Sequence, residues 1–233
     1  MDNQPKQNSG LTGKTGRIML VIALGSLCGL IEVVLGGLLA QAKFPYKSGL
    51  LAGLGFGIIA FAYAIYKKPL MAFWIGIVAV LCKQLVVPVL GLSVMCKMNS
   101  CLAVVLEYTA LAGVAAITMK RMKTKGGYRL LTGGSGALIG SVAFLFIGMH
   151  VAPCEYLLGF NQAGGFVSFL YKESLSWVVF SSVLFPIGWV IGEKQANRLA
   201  LLYQNKPRLA YAGVSAIAAI CWAICAIAIA GGF

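Results

Sequence analysis

Charged residues are scarce in this chain of 233 residues. Asp, Glu, Lys and Arg together make up 11% of the sequence, while 60% of it is hydrophobic. Soluble domains carry roughly 25% charged residues. So few charges cannot cover a water-facing surface, which excludes a soluble globular protein. Lipid must therefore replace water around much of the polypeptide.

Acidic side chains and histidine are scarcer still, with six Asp and Glu and a single histidine, His150. The sequence contains no Ser-His-Asp set, no H-E-x-x-H helix and no pair of catalytic carboxylates in one loop. The GLTGKTG segment lacks the first glycine of a phosphate-binding loop, because Asn8 occupies that position. We therefore expect neither enzymatic activity nor a cofactor.

The long apolar runs define the fold class. A net charge of +13 would indicate nucleic-acid binding in a soluble protein. Here the basic residues lie between apolar runs, as membrane topology requires, so no nucleic-acid partner is expected. A hydrocarbon core of roughly 30 Å needs about 20 apolar residues per helix. Such runs predict an all-α, polytopic transmembrane helix bundle of six to seven helices in the lipid bilayer, over residues 18–40, 48–66, 69–90, 101–119, 129–149, 170–192 and 209–230.

The polar residues predict the orientation. Residues 1–16 are expected to form a disordered cytoplasmic tail, and residues 17–233 a single transmembrane helical domain. Fourteen Lys and Arg fall on the side of the N-terminus and four on the opposite side. Because positive loops stay in the cytoplasm, we expect a protein integral to the plasma (cytoplasmic or inner) membrane, with its N-terminus cytoplasmic and its C-terminus outside. Residues 150–168 are rich in glycine and are expected to form a short re-entrant or interfacial helix.

Three ionisable residues interrupt the apolar runs: Glu32, Lys83 and Glu107. Such residues are costly in lipid and usually face a partner or a polar cavity. All three fall towards the outer half of their predicted helices, so we expect them to form one cluster. Two interpretations remain open, a polar site open to the outside and a fixed ion pair that only holds the helices together.

The predicted outer loops carry more functional groups than the inner loops. Their aromatic, amide, imidazole and carboxylate side chains are typical of the rim of an outward pocket, although ordinary loop chemistry would also account for them. The expected ligand is a small-molecule solute. Besides the intramembrane cluster, the residues predicted to bind it are Phe44, Tyr46, Asn99, His150, Glu155 and Asn161.

Three of the seven cysteines fall on the predicted outer side: Cys96, Cys101 and Cys154. A disulfide among them would be natural in an oxidising compartment. With His150 they could instead coordinate a soft metal, but their spacing matches no zinc pattern. We therefore predict no metal site and regard these four residues as weak candidate ligands only. Free thiols are the third possibility.

Small residues recur at four-residue spacing on several helices, including Gly25 and Gly29 on the first. This spacing lets helix backbones approach closely. The glycines could serve internal packing of the bundle, or they could dock the chain onto another membrane subunit.

The segment GLIEVVLGGLLAQAKFPYKSGLLAGLGFGIIAFA, with the later LCKQLVVPVLG and CLAVVLEYTALAG, resembles the substrate-binding S components of energy-coupling factor transporters. The likeness covers residues 17–193 and depends on hydropathy, loop placement and small-residue patterns. It implies a six-helix bundle that binds a vitamin or metal-related micronutrient in a pocket beneath its first, third and fifth loops. It also implies a membrane T component and two cytoplasmic ATPases as partners, with Gly25 and Gly29 docking onto the T component. The run 209–230 would be an additional helix.

These observations predict a membrane subunit that binds a small micronutrient from the outer face and is energised by partner subunits. The alternative is a non-catalytic membrane subunit of a larger assembly, for example a respiratory or redox complex. In that case the glycine faces and the last helix would be docking surfaces.

Overall fold

The structure, a computed structural model, describes residues 13–232. Within this range seven helices are long and apolar enough to cross a membrane, and no strand forms. Helices satisfy every backbone N–H and C=O internally, as lipid requires. The predicted all-α transmembrane bundle is therefore confirmed. The elements are α1 Lys14–Gln41, α2 Lys47–Tyr66, α3 Met71–Leu90, α4 Val94–Met122, α5 Gly126–Val151, the short α6 Glu155–Leu158, α7 Gly165–Asn205 and α8 Pro207–Ala230.

Several helices extend beyond their predicted bounds. α1 begins at Lys14, so the predicted tail 1–16 is too long at its end, and residues 1–12 lie outside the described part. α7 has 41 residues, about 60 Å of helix at 1.5 Å per residue. Its extension past the predicted end at residue 192 contains no glycine or proline before Pro207, so nothing in the sequence stops the helix.

α3 is the one span with a clear interruption. Helical geometry breaks at Gln84 and Leu85, between the segments Met71–Lys83 and Val86–Leu90. Pro88 has no N–H to bond the carbonyl of Gln84, and its ring crowds that carbonyl, which accounts for the break. The interruption places Lys83 at the end of a helical segment.

Residues 150–168 do not form a span, as predicted. α5 ends at Val151, α6 is a single turn over Glu155–Leu158, and α7 starts at Gly165. Gly164 has a φ of +79°, which a residue without a side chain adopts easily. This segment covers one end of the bundle together with the α1–α2 and α3–α4 loops. We call this end the outer end, after the predicted orientation.

Glycines bring the central helices into close contact. A methyl group added at Gly188 of α7 would meet the carbonyl oxygen of Gly57 of α2, and one added at Gly49 or Gly53 would meet α7. Gly140 of α5 lies against the backbone of Glu107 on α4. Close approach of this kind replaces hydrophobic driving force as the source of helix association in lipid. These glycines therefore serve internal packing.

Gly25 and Gly29 also pack inside the bundle. A methyl group at Gly25 would meet Val78, and one at Gly29 would meet Cys82, both on α3. Their predicted role as docking residues for a separate subunit is therefore wrong for this arrangement, because α3 already occupies their face. The alternative, internal packing, accounts for the four-residue spacing.

α8 is the seventh span that the sequence predicts. It packs on α1, where the indole Nε1 of Trp222 donates a hydrogen bond to Ser26 Oγ at 2.9 Å. It also reaches α3, since Cys225 is buried in one apolar cluster with Cys82 and Val86. α8 ends at the outer end, beside the site described next.

Candidate functional site

A cavity of about 690 Å³ opens at the outer end of the bundle. Its wall combines the intramembrane ionisable residues with side chains from the three outer loops and the end of α8. Cavities of roughly 300–1,000 Å³ hold small organic ligands. The volume is therefore far larger than a single inorganic ion needs.

The predicted ionisable cluster is present in the cavity wall. Lys83 Nζ lies 2.7 Å from Glu32 Oε2, and the two side chains are 10% and 11% exposed. Lys83 also approaches the carbonyl oxygen of Ser100 at 3.4 Å. A buried pair with short N–H···O geometry offsets much of the cost of taking both charges out of water. Glu32 and Lys83 thus neutralise each other.

Glu107 is the third member, and it has no such partner. It is 5% exposed and lines the cavity. Among the described residues it has neither a hydrogen bond nor an ion pair, although the charges of Glu32 and Lys83 act on it. Gly140 holds the α4 backbone at this position. An unpaired buried carboxylate is unfavourable unless a proton or a bound cation neutralises it.

Glu173 is a fourth ionisable residue of the wall, and the sequence interpretation missed it. Its Oε2 accepts a hydrogen bond from Ser48 Oγ at 2.7 Å. Desolvation of the phenol and then the Glu173 carboxylate raise the pKa of Tyr156. Tyr156 therefore stays protonated at neutral pH and can donate a hydrogen bond. The signal was present in the sequence, because Glu173 lies inside the predicted span 170–192 next to Lys172.

Two π-helical turns contribute carboxylates to the cavity. The turn Ile31–Leu35 in α1 carries Glu32, and the turn Leu170–Ser174 in α7 carries Glu173. These two π turns are the ones found in the described chain. A π turn inserts one residue into a helix and is frequent at functional sites. Here each insertion falls where its helix meets the cavity.

Aromatic side chains form the apolar part of the wall. Phe144 and Trp177 are stacked, with ring centroids 6.1 Å apart and an angle of 22° between the planes. Trp177 is 3% exposed, and its Nε1 has no hydrogen-bond partner within the described residues. Asn99 Oδ1 is likewise buried without a partner. Two residues of the wall thus carry a buried polar atom without a partner, one a donor and one an acceptor.

Five of the nine residues predicted to bind solute line the cavity: Glu32, Phe44, Lys83, Asn99 and Glu107. The other four do not, and for these the prediction is corrected. Tyr46 is 51% exposed and meets Phe44 edge-on. His150 Nδ1 lies 2.8 Å from the carbonyl oxygen of Phe146 in its own helix. Glu155 and Asn161 are exposed. Loop position alone does not determine which way a side chain points.

The outer cysteines form no disulfide in the structure, which agrees with the third of the three possibilities, free thiols. Cys101, Cys154 and Cys96 are all free. Gln84 Nε2 lies 3.3 Å from Cys101 Sγ, and Asn99 Nδ2 lies 2.8 Å from Cys154 Sγ. Over residues 13–232 no group of three or more His, Cys, Asp or Glu side chains is placed to hold a metal ion.

The exposed Cys96 provides a test of orientation. A membrane-impermeant maleimide added to intact cells is expected to label it, because its loop is predicted to lie outside. The Cys96→Ser variant should lose most of this labelling, since the other six thiols are buried or half-buried. Labelling of Cys96 only after the membrane is permeabilised would reverse the predicted orientation.

The cavity combines the kinds of side chain that hold a small organic solute. Ion-pair, carboxylate, amide and aromatic groups converge on one cavity at the outer end of the bundle. Such a mixture of apolar walls and a few convergent polar groups is typical of ligand sites. No protein-family model, no curated protein and no solved structure matches this chain.

Proposed function

We propose that this chain is a membrane subunit that binds a small micronutrient, vitamin- or metal-related, in the cavity at its outer end and takes part in its uptake. The proposal is carried by Glu107, a buried carboxylate without a partner in the wall of a cavity. A protein that used its ionisable residues only to hold helices together would be expected to pair all of them. A ligand that occupies the cavity would satisfy this group.

The geometry of the outer loops adds support. Phe44 of the first loop, Asn99 beyond the third and Tyr156 of the fifth all reach the cavity wall. This is the loop set that a likeness to the S components of energy-coupling factor transporters implies. The proposal includes partner subunits, a T component and ATPases, as the source of energy. Their docking surface would not be the face of Gly25 and Gly29, since α3 covers it.

A thermal-shift experiment tests whether the cavity binds a solute. A protein-free small-molecule extract of the cells that carry the protein is added to the detergent-purified chain. We expect the melting temperature to rise, because a ligand that binds only the folded state stabilises it by an amount that grows with the ratio of its free concentration to its Kd.

A pair of tryptophan substitutions on α4 makes the result specific. Ala103 lines the cavity, whereas Ala116 is exposed on the same helix. The Ala103→Trp variant should fill the site and lose the shift, and the Ala116→Trp variant should keep it. A shift that survives in Ala103→Trp would place binding elsewhere and refute the proposal.

A further inference from the structure

Once the ion pair of Glu32 and Lys83 is set aside, acidic groups predominate in the buried part of the cavity wall. Glu32 and Lys83 cancel at 2.7 Å. Glu107 and Glu173 then remain, and the described residues give neither of them a salt bridge to a basic side chain. Glu173 is contacted by neutral donors, the hydroxyls of Ser48 and Tyr156. The cavity therefore presents two carboxyl groups without a basic partner, one of which is buried.

The other two lysines of the cavity, besides Lys83, belong to its rim. Lys47 is exposed and Lys97 is half-buried, and both follow the outer loops. Exposed ammonium groups are well solvated and act weakly on a buried site. They can guide a molecule with its own acidic group to the mouth, but they do not neutralise Glu107.

The aromatic wall also favours a positively charged solute. The stacked rings of Phe144 and Trp177 lie in the same wall as Glu107. Aromatic faces attract cations, and tryptophan does so most strongly. The unused Trp177 Nε1–H needs an acceptor, and the unused Asn99 Oδ1 needs a donor.

Resting on the proposed function, we propose that the solute is an organic cation with a planar ring. Its ammonium or amidinium group lies at Glu107, within reach of Glu173, and its ring lies against Phe144 and Trp177. The volume of about 690 Å³ suits such a molecule rather than a bare metal ion.

Three probes with one ring and different charges test this inference: tryptamine, indole-3-propionate and tryptophol. They are an ammonium, a carboxylate and a neutral alcohol on the same indole. Thermal shifts of the purified full chain are titrated to millimolar concentration of each probe. We expect stabilisation that rises with tryptamine concentration and an apparent affinity about tenfold or more above that of the other two probes, since hydrogen bonds to charged groups are the strong ones.

Variants connect the binding to the cavity. Glu107→Gln should weaken tryptamine binding about tenfold or more, and Glu173→Gln should weaken it to a smaller extent because Glu173 is partly solvated. Glu155→Gln is the matched control, because Glu155 is an exposed carboxylate of the same end that does not line the cavity. If Glu107→Gln does not fold, Glu173→Gln and the probe series still decide the question.

The outcomes separate this inference from the proposed function. Three outcomes would overturn the inference that the solute is a cation and leave the solute site itself standing. They are a preference for indole-3-propionate, equal binding of all three probes, and no binding of any probe while the cell extract still stabilises the protein. If neither the extract nor any of the probes stabilises the protein, the proposed function itself is overturned. Tryptamine binding that is unchanged in Glu107→Gln and Glu173→Gln would also contradict the cation site.

Discussion

Replacing Gly188 by valine is expected to separate α7 from α2 and to lower the stability of the bundle. Even one methyl group at Gly188 would overlap the carbonyl oxygen and carbonyl carbon of Gly57. Backbone atoms cannot move aside as a flexible side chain can, so the helices must shift. Overpacking typically costs about 1–3 kcal/mol, and helix association in lipid depends on such close packing.

The measurement is the unfolding midpoint in a denaturing detergent, together with the monodisperse yield on size exclusion. Gly213→Val is the matched control, because Gly213 also lies within a membrane helix and a methyl group there would meet nothing within 4 Å. We expect the control to stay close to the parent protein. Equal effects of the two substitutions would show that helix propensity, not the α2–α7 contact, determines the loss.

Replacing Lys83 by methionine is expected to have the second large effect. It leaves Glu32 buried beside Glu107 with no cation, in a place where the Glu32 side chain is 11% exposed. Removing one partner of a buried ion pair costs about 3–5 kcal/mol, because the other charge stays uncompensated. The free energy of unfolding in mixed micelles should fall accordingly.

The double variant Glu32→Gln with Lys83→Met separates charge from packing. It removes both charges and should recover most of the lost stability. Glu193→Gln provides the comparison, since its partner Arg129 lies 3.2 Å away and the Glu193 side chain is 41% exposed. Such a pair contributes about 0–1 kcal/mol. A single Lys83→Met variant as stable as the parent would show that Glu32 and Lys83 do not interact in the folded protein.

The spans could be predicted from the sequence because lipid imposes one solution on long apolar runs. The cluster of Glu32, Lys83 and Glu107 could be predicted for a similar reason, because ionisable groups in lipid are stable only beside a partner or a polar cavity. The direction of a loop side chain has no such constraint. Glu155 and Asn161 therefore point to solvent, while Tyr156 between them lines the cavity.

Other features depend on which helices are neighbours, and one chain read alone does not reveal this. Gly25 and Gly29 have the spacing of a docking face, but α3 lies against them. The π turn that directs Glu173 into the cavity has no recognisable signature in LYKES. The interruption of α3, by contrast, has a cause that is visible in the sequence, because Pro88 lacks the N–H that would continue the helix.

A native mass spectrum of the protein released from gentle detergent tests the central claim most directly, because it reports bound small molecules and companion chains together. The account predicts a peak heavier than the bare chain by one small organic molecule, lost on mild activation and absent from Ala103→Trp. A spectrum with only the bare chain, or with large companion chains and no small molecule, would contradict a solute site and favour a purely structural membrane subunit.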